Sequence, residues 1–269
     1  MHMALPPLLA LIVAVALSAV LASASDVRAE TEVDVALVLA VDVSRSMDND
    51  EQRLQRDGFV EAFRSMAVHD AIRKGAIGRI GVVYMEWSGP TQQTVVVPWT
   101  LLSGPEDSAA FADRLAQAPI GRIYSTSISG AIDFGLKLHS ESGLDPVRRV
   151  IDVSGDGPNN VGRVVTAARD EAIAQGVTIN GLPFMVKRPT GFGDIENLDH
   201  YYEDCVIGGP GAFIVPVREA RDFSDAVRTK LVREIAAAPV SEPLTWLVQG
   251  RERSNCMIGE INRRQRYEP

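Results

Sequence analysis

The sequence is poor in aromatic residues, at 6% of 269 positions, and holds only two cysteines and four histidines. It has one long apolar run, which excludes a protein that crosses a membrane several times. Gly (22) and Pro (15) stand at ordinary levels, so a collagen-like repeat is excluded, and 46% hydrophobic residues exclude intrinsic disorder. Cationic surplus is also missing: the net charge is −8 and the isoelectric point about 5.1. A general attraction to phosphate backbones or anionic lipid is therefore not expected, and nucleic acid is no partner. The histidines beyond the N-terminal region, His69, His139 and His200, are scattered, with no His-Glu-x-x-His pair. There is no internal repeat or low-complexity segment.

The apolar run, Leu8 to Ala22, is followed by Ala22-Ser23-Ala24 and Val27-Arg28-Ala29, each a small-residue cleavage signature. Residues 1–29 therefore read as a cleaved signal peptide, cut after Ala24 or Ala29, although Met1 to Pro7 carries no Lys or Arg. An uncleaved N-terminal anchor is the alternative. Export places the mature chain in the periplasm or outside the cell, with no stable membrane insertion after cleavage. In such an oxidising compartment Cys205 and Cys256 are most simply one disulfide, tethering the C-terminal tail; two separate buried thiols are the alternative.

About 240 residues then remain, enough for one large or two small domains. Val33 to Val41 is a β-branched apolar run, suited to the centre of a parallel sheet. A helical period follows over Glu51 to Met66. Strands are expected at Arg79–Tyr84, Thr94–Trp99 (an edge, from Pro98), Arg149–Val153, Val177–Pro183 and Ala212–Val217. Helices are expected at Glu106–Gln117, Ser127–His139, Val161–Gln175, Ile195–Val206 and Phe223–Ala237. The alternation predicts an α/β fold: a doubly wound, mostly parallel sheet with one antiparallel edge strand and helices on both faces. That domain spans 30–238. From Pro239 the pattern fails, and 239–269 is expected to be an extension without its own core.

Ligands of such sheets sit beyond the carboxyl ends of the strands. Three of these ends or loops carry short oxygen side chains: Asp42-Val43-Ser44-Arg45-Ser46, Ser125-Thr126-Ser127, and Ser154-Gly155-Asp156-Gly157. Such oxygens suit a hard divalent cation. Alternatively, Asp42 and Ser44 cap the following helix and Asp156 forms an Asx turn.

On these residues, over about 32–238, the sequence resembles the von Willebrand factor A (vWA) superfamily, a Rossmann-like fold, and within it a bacterial exported branch without assigned activity. The resemblance implies that Asp42, Ser44, Ser46, Thr126 and Asp156 form a metal-ion-dependent adhesion site, or MIDAS. It further implies hydroxyl ligation by the two serines and Thr126, with Asp42 and Asp156 acting partly through water. The cation would be Mg²⁺, with Mn²⁺ and Ca²⁺ as alternatives, and a partner protein's exposed Asp or Glu would complete its shell. The same likeness implies that the last helix, Phe223 to Ala237, slides when the site is occupied. Arg45 is either a cation at the metal rim or an ordinary solvated loop arginine. Glu86, at the end of the second strand, is either a further ligand through water or an ordinary exposed carboxylate. Asp152, in mid-strand, needs a partner, with an Arg or a backbone donor expected.

No spacing supports phosphoryl, hydride or acyl transfer. The expectation is an exported, non-enzymatic protein-binding module that uses the metal site. The alternatives are a metal-stabilised scaffold of an envelope assembly and a metal-assisted hydrolase.

Overall fold

In the computed structural model the described residues are 30–44, 47–121, 125–186, 195–236 and 251–267. Residues 1–29, read above as a signal peptide, and Arg45 and Ser46 lie outside them. Strands β1 (Thr31–Asp42), β2 (Ile80–Trp87), β3 (Gln93–Leu102), β4 (Leu144–Gly155) and β5 (Val177–Pro183) form one sheet in the order β3-β2-β1-β4-β5. Only β3 runs antiparallel; the other pairings are parallel.

β1 occupies the centre because it is apolar on both faces. Its alternating side chains explain the two-layer core. Val35, Leu37, Leu39 and Val41 join one cluster with Phe59, Phe63, Phe111 and Leu231, while Val38 and Ala40 join a second with Ile128, Ile132, Val165 and Tyr202. Each such side chain contributes about 1.5–3 kcal/mol by burial. Truncating Leu39, fully buried, to Ala would cost about 2–5 kcal/mol.

The first face carries α1 (Asn49–Phe63), α2 (Met66–Arg73), α3 (Pro105–Gln117) and α7 (Phe223–Ala236); the second carries α4 (Ile128–Ser140), α5 (Val165–Ala174) and α6 (Leu198–Tyr201). The single helix expected over Glu51 to Met66 is broken, because the Ser65 side chain accepts from Val68 N–H and starts α2 afresh. The expected helix at Ile195–Val206 is the short α6, which widens into a π turn at Tyr202–Val206.

Two further expectations are corrected. Ala212–Val217 makes isolated parallel bridges, Gly181 to Ile214 and Phe184 to Val217, and no continuous ladder. Its Phe213 N–H donates to Asn180 Oδ1 at 3.1 Å, and Pro216 has no N–H to give. Asp152 is met by neither arginine nor backbone: Lys230 of α7 brings its Nζ within 2.6 Å. The tail, expected as an extension without its own core, carries one helix among its described residues, α8 (Ile258–Tyr267).

α8 escapes sequence reading because its residues are mostly polar. It is held by a disulfide, Cys205–Cys256, whose Cα atoms are 5.5 Å apart. Arg251, which pairs with Glu203 at 2.9 Å and Asp204 at 2.6 Å, fixes the approach to it. Among the described residues, no helix is long and apolar enough to cross a membrane.

Candidate metal centre

The carboxyl ends of β1 and β4 and the start of α4 meet at one edge of the sheet. Two successive carbonyls at the end of β2 gather them: Trp87 O accepts from Val43 N–H at 3.0 Å, and Ser88 O accepts from Ser127 N–H at 2.6 Å. Thr126 is joined to the loop after β4 in both directions. Its N–H donates to Asn160 Oδ1 at 3.2 Å, and its carbonyl accepts from Asn160 N–H at 2.9 Å.

Capping duties fall to neighbours of the candidate ligands. Asp48 caps α1 and forms a reciprocal capping box with Glu51, so Asp42 and Ser44 are not needed there. Ser127 caps α4 through Gly130 N–H at 3.2 Å, so Thr126 is not needed either. The helix-cap alternative for Asp42 and Ser44 is therefore overturned.

Asp42 is fully buried, and its Oδ1 accepts from Ser44 N–H at 2.7 Å. Among the described residues its Oδ2 meets no donor. Burial pushes the carboxyl well above the usual carboxylate range, and the charge of Asp156 pushes it further; the Ser44 groups and Asp156 N–H pull back. A buried carboxyl thus lies in the field of a second, half-buried one, an arrangement that repels itself until a cation or a proton enters. Asp42, Ser44, Thr126 and Asp156 offer oxygens only. Among the described residues no group of three or more His, Cys, Asp or Glu is placed to hold a metal. A cation here would lean on hydroxyls beside two carboxylates, and the orphaned Oδ2 fits that role.

Glu86 is buried, with Oε1 paired to Arg56 and Oε2 accepting from Gly121 N–H at 3.0 Å. Arg56 also donates to Leu115 O at 2.8 Å and Ala118 O at 2.9 Å. This carboxylate anchors the start of the loop that leads to Thr126.

Three residues at the corner had no signal in the sequence. Tyr202, from the π turn, places a buried hydroxyl, without a partner among the described residues, near the same point as Asp42 Oδ2; a Cβ on Gly155 would lie 3.0 Å from both. Burial first, then Asp42 and Asp156, raises the Tyr202 pKa, so it stays a neutral donor. Asn160 braces Thr126, and Arg263 of α8 donates to Ser125 Oγ at 3.2 Å and Asn160 Oδ1 at 3.3 Å. Tyr202 is hidden because the groups it approaches come from β1 and β4, and Arg263 because α8 is carried across the fold by the disulfide together with the Arg251 and Ser254 contacts.

The sequence profile of a family described as a protein of unknown function, DUF1194, matches residues 32–239. The chain belongs to that family. No curated protein matches the sequence. Among solved structures, proximal thread matrix protein 1 of the mussel byssus is similar at 19% identity and TM-score 0.54, over 77% of this chain and 49% of that one. A second structure of it, described as having a zinc-occupied MIDAS motif, gives 18% identity and TM-score 0.51 over 77% and 49%. The von Willebrand factor domain of the type V pilus tip protein Mfa5 from Porphyromonas gingivalis gives 11% identity and TM-score 0.52, over 78% of this chain and 98% of that one. The chain spans about half the length of the first of these structures. The family has the von Willebrand factor A fold, with the mostly parallel sheet and one antiparallel edge strand described above.

Proposed function

We propose that the protein is a divalent-cation-dependent adhesion module that captures an acidic group of a partner protein in the periplasm or outside the cell. One observation carries this reading: among the described residues a fully buried carboxylate oxygen, Asp42 Oδ2, has no hydrogen-bond donor, and the carboxyl lies in the field of Asp156. The fold supports it, as does the zinc-occupied MIDAS of the similar thread matrix protein. In this reading Asp42, Ser44, Ser46, Thr126 and Asp156 hold the ion, and Mg²⁺ is the cation that such oxygens suit, with Mn²⁺ and Ca²⁺ as alternatives. When bound, the cation supplies an electrophilic position open to a partner carboxylate.

The chain's own residues build that position. Asp42 fixes the turn after β1 through Ser44 N–H. Gly155 leaves space that any Cβ would fill. Glu86 and Arg56 set the loop before Thr126, and in this reading Arg45 stands at the rim. Residues 1–29 are the export signal, 30–238 the binding domain and 239–269 its tethered extension. We read a binding module and not a hydrolase, because His69 and His139 are buried and spend Nε2 on the carbonyls of Phe63 and Val150.

Titration calorimetry of the mature chain with Mg²⁺ and Mn²⁺ tests this, followed by capture from envelope extract with and without chelator. One ion should bind, Asp42→Ala and Asp156→Ala should abolish uptake, and capture should vanish with either variant or with chelator. At a hundredfold excess over Kd the ion should add about 2.7 kcal/mol of stability. Uptake without any captured partner would favour a metal-stabilised scaffold. Ester hydrolysis lost on chelation would favour a metal-assisted hydrolase, and no uptake would refute the metal site.

A further inference from the structure

α8 lies beyond the 32–239 span of the family match, yet it reaches the loops that carry two candidate ligands. It is fastened at its start by the Cys205–Cys256 disulfide and by Ser254 N–H donating to Asp204 Oδ2 at 2.8 Å. Its backbone presses onto the loop after β4: a Cβ on Gly259 would come 2.1 Å from Asn159 O. Along that contact Glu260 Oε1 accepts from Asn159 Nδ2 at 2.7 Å, and Asn159 Oδ1 in turn accepts from Ser129 N–H at 3.0 Å. One turn further on, Arg263 Nη1 and Thr126 N–H converge on a single acceptor, Asn160 Oδ1. Arg263 also holds Ser125, whose φ of +81° is in the left-handed region.

A non-glycine residue in that conformation persists only when its surroundings dictate it. Here Arg263 of α8 holds the Ser125 hydroxyl at 3.2 Å.

We infer that α8 is a strap that sets the geometry of the cation site, with Arg263 as the positioning residue for the Ser125–Thr126 corner and Asn160 as the relay. This inference rests on the metal reading above. A ligand corner held by an outer hydrogen-bond partner loses metal affinity by about 10–100-fold when that partner is removed. The strap therefore makes tight cation binding conditional on the disulfide, which forms only in an oxidising compartment.

The test uses the full mature chain and Mn²⁺ alone, read by its paramagnetic signal, together with hydrogen exchange of Thr126 and Ser127 in metal-free protein. Arg263→Met should weaken Mn²⁺ by about 10–100-fold and speed exchange at Thr126, while Arg263→Lys restores most of both. The melting temperature of Arg263→Met should move little, which separates positioning from general destabilisation. Cys205→Ala/Cys256→Ala should repeat the Arg263→Met affinity loss. Wild-type Mn²⁺ affinity in Arg263→Met would overturn the inference. If the wild type takes up no Mn²⁺, the metal reading fails, and exchange alone decides the strap: faster exchange in Arg263→Met upholds it and unchanged exchange refutes it.

Discussion

Replacing Lys230 by Met probes the buried charges that pin α7 to the sheet. Lys230 and Asp152 are each 1% exposed, and their charged atoms lie 2.6 Å apart. Glu234, one turn along α7, contacts the same Lys230 Nζ and accepts from Asn180 Nδ2 at 3.0 Å. Arg148 stands nearby, donating to the carbonyls of Glu234 at 2.7 Å and Ile235 at 3.1 Å. Asp152 is pushed up to about 7 by burial and by Glu234, even though Lys230 pulls it down. Deleting the lysine leaves two carboxyls in a dry space, and breaking such a pair costs about 3–5 kcal/mol.

The sign of its pH dependence follows from the direction of the shift. A carboxyl raised in the fold loses stability as pH climbs from its unfolded value of 3.8 toward its folded value, at about 1.4 kcal/mol per unit. Without Lys230 the folded value moves higher still, so the variant's extra loss from Asp152 should be small at pH 5.5 and reach about 2 kcal/mol at pH 8.5. Urea unfolding at both pH values measures it; at about 2–4 °C per kcal/mol, the melting point should fall by about 4–8 °C at the higher pH. Lys230→Met/Asp152→Val/Glu234→Met should regain most of the loss. A loss under about 1 kcal/mol at pH 8.5, or an equal loss at both pH values, would refute the reasoning.

His139 is held down to about 4, chiefly by burial. It is neutral in the fold while the unfolded chain takes a proton near 6.5. Its contribution is therefore intact above that pH and is lost as pH falls toward 4, by up to about 3 kcal/mol. The stability difference between wild type and His139→Leu should shift by that amount between pH 7 and 4 in denaturant melts, and a constant difference would count against it. Cys205→Ala/Cys256→Ala frees a 51-residue separation and should lower unfolding free energy by up to about 4 kcal/mol. Limited proteolysis should then cleave within 251–267 first.

The strand and helix alternation was legible because each element carries its own period. Val177–Pro183 matches residue for residue, and β1 declares its central place by being apolar on both faces. The candidate ligands were legible as motifs, since each lies within a short loop at an element end. Less was readable where partners are distant. Glu86 gave no sign of Arg56, thirty positions earlier, and Asp152 gave no sign that its cation would come from the last helix of the domain. Ala212–Val217 has a strand's composition, but Asn180 diverts one of its donors and Pro216 lacks another.

Local pattern by itself thus determined the fold class, the order of elements and the oxygen-rich loops, because hydrophobic period and turn chemistry act over a few residues. Tertiary structure alone decided which carboxylates face one another in dry surroundings, which groups were already spent on capping, and that a polar tail helix reaches the corner beside Thr126. Those outcomes depend on through-space distance and burial, and neither is written in the spacing of residues along a chain.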